Sequence, residues 1–430
     1  MSETVKGSGA TASEPVGKPA DPERPGLGKR LVDQVVYGAD WVVTLLAILL
    51  ALFFGAILII LSDESVRGTF SYFFSSPGDA ISASWDAVST GYTALFKGSI
   101  WDPSHSWNVG SAIAPFSETL TEAVPLIFGG LAVGLAFRAG LFNIGGQGQL
   151  IMGAIVATWV GFTVTGPTFL AMILAVIGGI AGGAAWGAIV GLLKAKTGAH
   201  EVIVTIMLNY TALYFLAYLI GTDTFRDPDR QEPLSKSVSE ASKLPKLLTW
   251  LTDGGSLRLN FALVIAAVAV AFVWWLLNRS TLGFELRAVG SNASAARTAG
   301  MSVAKSQIMA MLISGGLMGI VGASQVLGTA NANNALTPDI DAGLGFAAIT
   351  VALLGRASPI GTVFAAILFG ALQAGGRSMQ SEAGISIEIV TVIQALIVLF
   401  VAAPPLVRGI FRLKGSGSGD AALASKGWNG

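Results

Sequence analysis

Cysteine is absent from the chain, and histidine occurs only at His105 and His200. The first absence excludes disulfides, thiolate metal sites and thiol nucleophiles. The second leaves too few imidazoles for a histidine metal centre. Charge is scarce as well. Charged residues make up 12% of the 430 positions, about half the roughly 25% of soluble domains, so a water-facing surface of this size cannot be built. Basic and acidic residues balance at 26 each, which gives no electrostatic reason to expect nucleic acid. No Walker-type phosphate loop is present, and no polar stretch is long enough to form an ATPase of its own.

What the chain does have is apolar sequence. Hydrophobic residues make up 53% of it, and the mean hydropathy is +0.67. Glycine is abundant, at 54 residues. In water that number would weaken helices, whereas in lipid small residues let helices approach closely. Residues 1–30 are rich in Gly, Pro, Ser, Glu and Lys, lack apolar periodicity, and read as a disordered tail without a cleavable signal. Residues 415–430 read as a flexible C-terminal tail. The uncharged run Trp41–Leu61 would rise roughly 31 Å as a helix, enough to cross a bilayer, with Trp41 as an interfacial anchor. Residues 62–117 are polar and aromatic, and predict an extracytoplasmic segment with short helices along the interface.

Further crossings are predicted at Thr119–Phe137, Gly140–Phe162, Thr168–Leu193, Val202–Thr222, Leu259–Asn278, Ser306–Thr329, Ala342–Gly355, Ser358–Gly376 and Ser386–Leu406. The fold class is therefore all-α: a polytopic transmembrane bundle of about ten crossings within residues 31–414. An even number puts both termini on one side. Basic residues at Lys18 to Arg30, Arg138, Lys194, Lys196, Arg279 to Lys305, Arg356, Arg408 and Arg412 then share that side, which the positive-inside bias makes cytoplasmic. Residues 223–258, with six basic and six acidic side chains, would form an extracytoplasmic loop. Ala342–Gly355 would rise only about 21 Å, so it is expected to be shielded by protein or to form a broken pair with the next segment.

Four stretches carry possible chemistry. Gly179, Gly183, Gly187 and Gly191 recur every fourth residue and make a groove for a partner helix. Gly140 to Gln149 places Asn143, Gln147 and Gln149 among glycines at the start of a crossing. Such amides either glue the bundle or line a path for a neutral polar solute. Asn209 sits about two turns inside the next crossing but one and needs a partner there, whereas Glu201 is near its cytoplasmic end. In residues 281–305, Asn292 can cap a short helix through Ala299 that Gly300 ends. Such a helix, bearing Ala and Arg, suits docking to a peripheral protein.

Together Ala136–Gln149, His200–Tyr210, Leu286–Asn292 with Ala295–Met301, and Gly345–Gly355 with Pro359 and Gly361 resemble the permease subunits of bacterial ATP-binding-cassette (ABC) importers for simple sugars and nucleosides. That group includes branched-chain amino acid permeases, and the first two stretches look closest to its nucleoside-type members. The resemblance implies a multi-pass subunit of the bacterial inner membrane that is no enzyme. It implies a separate ABC ATPase subunit, a second permease copy or paralogue, and an extracytoplasmic solute-binding protein. It also implies that Glu285, Arg287, Asn292, Ala295, Ala296, Arg297 and Gly300 dock the ATPase, and that Asn143, Gln147, Gln149 and Asn209 border the substrate path. No cofactor or metal is called for. One departure stands out: the nucleoside-type members it resembles usually carry Glu where this chain has Gln147. The alternatives are a branched-chain amino acid permease and an ion-coupled secondary carrier. The latter needs ionisable groups at mid-membrane, and the sequence offers almost none.

Overall fold

The structure, a computed structural model, describes residues 40–103, 109–164, 166–247, 257–328 and 333–413. The two predicted tails, His105 and the side chain of Trp41 lie outside the described residues. A main unit comprises Leu46–Pro404, and a small one comprises the two chain ends, Met1–Leu45 and Pro405–Gly430. Of the small unit, the first residues of α1 and the helix α16 are described.

The described residues are helical apart from loops and two isolated bridges, Arg226 with Ser235 and Lys246 with Asn260. In chain order the helices are α1 (Asp40–Ser62), α2 (Glu64–Phe70), α3 (Pro77–Ser99), α4 (Val109–Ala112), α5 (Ala114–Arg138), α6 (Gly146–Thr163), α7 (Thr168–Thr197) and α8 (Glu201–Ile220). They continue as α9 (Ala262–Arg279), α10 (Thr281–Ser291), α11 (Ala293–Thr298), α12 (Val303–Leu327), α13 (Leu344–Leu354), α14 (Pro359–Ala383), α15 (Ile387–Ala402) and α16 (Pro404–Ile410). Seven are long and apolar enough to cross a membrane: α1, α5, α7, α8, α9, α12 and α14. The other three expected crossings are α6, which carries two glutamines, the 11-residue α13 and the 16-residue α15. This is the polytopic helical bundle the composition calls for.

Two sequence expectations are corrected. Residues 62–117 hold more than short helices, since α3 runs for 23 residues. It packs along α14, where Gly375 meets the Leu95 backbone, and the Tyr92 hydroxyl donates to Leu52 O at 2.5 Å. Asp63 caps α2 by accepting from Ser65 N and Val66 N. Its hydrogen bond from the Ser65 hydroxyl holds its carboxyl below the usual range.

The second correction concerns Gly140–Phe162, which is not one continuous crossing. Gly140, at φ +72°, ends α5: Leu141 N bonds Ala136 O at 2.9 Å and Gly140 N bonds Phe137 O at 3.0 Å. This is the Schellman pattern that glycine favours, because a Cβ disfavours positive φ. The chain then runs as non-helical backbone from Leu141 to Gly145 before α6 begins.

The core lies around α5 and α12, the two most enclosed helices. The glycine groove of α7 receives α12: a Cβ on Gly183 would lie 2.6 Å from Gly319 Cα, and one on Gly191 would lie 2.8 Å from Ile308 Cα. On another side of α12, a Cβ on Gly322 would lie 2.6 Å from Ala154 N of α6. Backbone approach of this kind replaces the hydrophobic drive that lipid removes.

Candidate functional site: the Gly-rich turn and the helices below it

Non-helical backbone inside a bundle must have its polar groups satisfied by protein or water, and the Leu141–Gly145 turn meets this demand with amides. Asn143, 1% exposed, donates from Nδ2 to Gln149 Oε1 (2.9 Å) and to Ser314 Oγ on α12 (2.8 Å). Its Oδ1 accepts from Gly145 N (3.0 Å) and Gln149 Nε2 (3.3 Å). Ser314 in turn donates to Ala132 O of α5 at 2.8 Å. Asn209, 7% exposed, accepts from Gly148 N at 2.8 Å and donates to Ile144 O at 3.0 Å. Three of the four amides singled out from sequence are therefore bonded to one another, to serine or to backbone. They tie α5, α6, α8 and α12 to the turn, as buried polar groups must.

Gln147 differs. It is half-buried, and its Nε2 donates to Asp341 Oδ2 at 3.0 Å. Asp341 lies in the loop before α13, where the backbone takes φ +43° at Ala342 and +73° at Gly343. A Cβ on Gly345 would lie 2.6 Å from Gln147 N, so glycine is required for α13 to come this close to α6. Sequence reasoning did not single out Asp341, which lies just before the expected crossing Ala342–Gly355.

The other predicted group occupies α10 and α11. Ser280 Oγ caps α10 by accepting from Gly283 N at 2.9 Å, and Asn292 Oδ1 caps α11 by accepting from Ala295 N at 2.9 Å. Gly300, at φ +84°, ends α11 with Met301 N bonded to Ala296 O and Gly300 N bonded to Arg297 O, both at 3.0 Å. Arg287, Asn292, Ala295, Arg297 and Gly300 are exposed, Glu285 is half-buried, and Ala296 is turned inward at 4% exposure. The expected cap and stop are present; the preceding helix α10 was not foreseen.

One contact joins the two groups. Gly290, near the end of α10, lies against the end of α5: a Cβ on it would lie 2.8 Å from Ala139 C and 2.8 Å from Gly140 N. At the same end of the bundle, Arg138 Nε donates to Ala357 O at 3.1 Å. Lys194 pairs with Glu201 at 2.8 Å there, where α7 meets α8. Two of the predicted basic positions, Arg138 and Lys194, thus lie at this end.

The opposite end carries an ionic cluster that the sequence did not reveal. Glu118 Oε1 pairs with Arg258 Nη1 (2.5 Å) and Arg377 Nη2 (3.1 Å), and Arg377 Nη2 also pairs with Glu122 Oε1 at 2.6 Å. A cleft of about 460 Å³ opens beside it, lined by Lys97, Asp102 and Glu382 among others. Among the described residues, no group of three His, Cys, Asp or Glu could hold a metal ion.

The family described as branched-chain amino acid transport system / permease component matches this chain over residues 116–402. A guanosine ABC transporter permease protein of Bacillus subtilis (strain 168) is 39% identical over 380 residues, spanning 87% of this chain and 97% of that protein. A nucleoside ABC transporter permease protein of Lactococcus lactis subsp. cremoris (strain MG1363) is 37% identical, spanning 68% and 80%. A glucose ABC transporter permease protein of Haloferax volcanii is 36% identical, spanning 66% and 75%. No solved structure matches the chain.

Proposed function

The chain belongs to the family of branched-chain amino acid transport system permease components, and from that premise we propose that it passes nucleosides through the bacterial inner membrane. As a permease subunit it is a transporter component and not an enzyme; ATP hydrolysis and solute capture fall to an ATPase and a solute-binding protein, the partners this family implies. The observation that carries the nucleoside reading is the identity to the guanosine permease, which runs over nearly all of that protein. A simple sugar is the second reading, favoured by the relative named for glucose.

The mechanism we favour is alternating access. The basic end faces the cytoplasm, by the positive-inside bias. There the ATPase docks on the exposed Arg287, Asn292, Ala295 and Arg297, with α10 and α11 moving as one piece. Ala296 holds α11 to the body from its inner side, and Gly300 closes the helix. Gly290 hands the motion to the end of α5, immediately before the amide-bonded turn. Asn143, Gln149 and Asn209 keep that turn rigid, while Gln147 borders the path. A second permease subunit completes the other wall.

The test is reconstitution of the complex, with its ATPase and solute-binding protein, in proteoliposomes. Labelled guanosine, ribose and leucine are offered with and without ATP. ATP-dependent accumulation of guanosine is the expected result. Accumulation driven by a proton gradient without ATP would instead make the chain a secondary carrier.

A further inference from the structure

We propose that Asp341 and Gln147 together form the contact that reads a pair of neighbouring hydroxyls on the solute, the vicinal diol of a sugar ring. This rests on the nucleoside reading above and assigns the specificity within that same path.

Depth comes first. α13 ends level with Arg138, through the Arg138–Ala357 bond. Its 11 residues rise about 16 Å, and Asp341 stands three residues before its start. That places the carboxylate about halfway across a hydrocarbon core of roughly 30 Å. An ionisable side chain at that depth is costly, and it faces a bundle interior or a water-filled path. Asp341 is half-buried, so its side chain is not sealed inside the bundle.

Bonding capacity comes second. Asn143 and Asn209 have spent the donors and acceptors that face the turn on each other's surroundings. The Asp341–Gln147 pair has not. Asp341 Oδ2 takes the Gln147 amide at 3.0 Å and lies 3.4 Å from Gly343 N. Among the described residues, Asp341 Oδ1 and Gln147 Oε1 accept nothing. With the amide nitrogen held against the carboxylate, Asp341 Oδ1 and Gln147 Oε1 remain as acceptors on two side chains in hydrogen-bond contact. Two adjacent acceptors, one of them charged, match two adjacent O–H donors.

A purely structural pair would give the same 3.0 Å bond, so the test must separate the two. Asp341→Asn keeps an oxygen for the turn and removes the charge. The complete transporter is reconstituted, and maximal uptake is measured for guanosine and for 2′,3′-dideoxyguanosine, each at saturating concentration so that the solute-binding protein is always loaded. The expected result is that D341N slows guanosine about tenfold and the dideoxy solute much less, so that the preference between the two collapses. Asp341→Glu, which keeps the charge, retains a preference for guanosine. Equal slowing of both solutes in D341N, or no slowing of either, overturns the proposal while the nucleoside reading stands. Wild-type complex that moves neither nucleoside with ATP overturns the nucleoside reading, and the proposal with it.

Discussion

Replacing Gly183 by alanine tests whether backbone contact between α7 and α12 holds the bundle together. The added methyl would lie 2.6 Å from both Cα and N of Gly319, about an ångström inside ordinary carbon contact. Those atoms are backbone, so no side chain can swing away, and the two helices must part along their whole shared face. Overpacking of this kind costs about 1–3 kcal/mol, partly offset by the roughly 1 kcal/mol that alanine gains over glycine in a helix. Gly68→Ala is the matched control: it sits in α2 with nothing within 4 Å of the new methyl, so only the propensity gain remains. Thermal unfolding of the detergent-purified protein, followed by loss of its monodisperse elution peak, reads both. G183A should melt several degrees below wild type and G68A at or slightly above it. A G183A protein as stable as G68A would refute the close-packing argument.

Three further outcomes follow from the geometry. Asn209→Ala orphans the buried Gly148 N–H and Ile144 C=O. At about 1–3 kcal/mol for each unsatisfied group, it should destabilise the protein by more than G183A does, read by the same melt. Arg297→Glu, at an exposed position of α11, should abolish ATP-driven uptake with an unchanged melting temperature; Ala296→Glu, at a buried position, should lower that temperature as well. For Asp63, the carboxyl is held low by Ser65, so its cap contributes stability above the ordinary carboxylate pKa and loses it as pH falls through the lowered folded-state value. Hydrogen exchange at the amides of Ser65 and Val66 should therefore show no loss of protection between pH 7 and 5 and a loss in more acidic solution; protection lost already at pH 5 would contradict the cap.

Much of the bundle was legible because lipid imposes a simple rule on sequence: long apolar runs become helices. Local chemistry was legible too, as Asn292 and Gly300 show, since a cap and a left-handed stop depend only on residues within one turn. The glycine groove of α7 could be read from its spacing, though its occupant could not. What escaped depends on distant partners. Gln147 and Asp341 are separated by 194 positions, and nothing around Asp341 marks it as more than a loop acid. Glu118, Arg258 and Arg377 come from three separate segments, and each alone reads as an interfacial charge. The sequence left open whether Asn143 and Gln149 glue the bundle or face solute; only their mutual bonds place both in the packed interior. The length of α3 was missed because its apolar residues are diluted by serine and glycine, and its order comes from packing on α14.

The seat of Gly290 on the end of α5 has a mechanical consequence. Backbone lies against backbone there, and among the described residues no backbone–backbone hydrogen bond joins the two surfaces. Such a joint transmits compression with little give, yet it carries no tension. On the proposed docking of an ATPase to α10 and α11, the power stroke can be a push through this joint. The return stroke cannot be a pull through it. Recovery must come from elsewhere in the bundle.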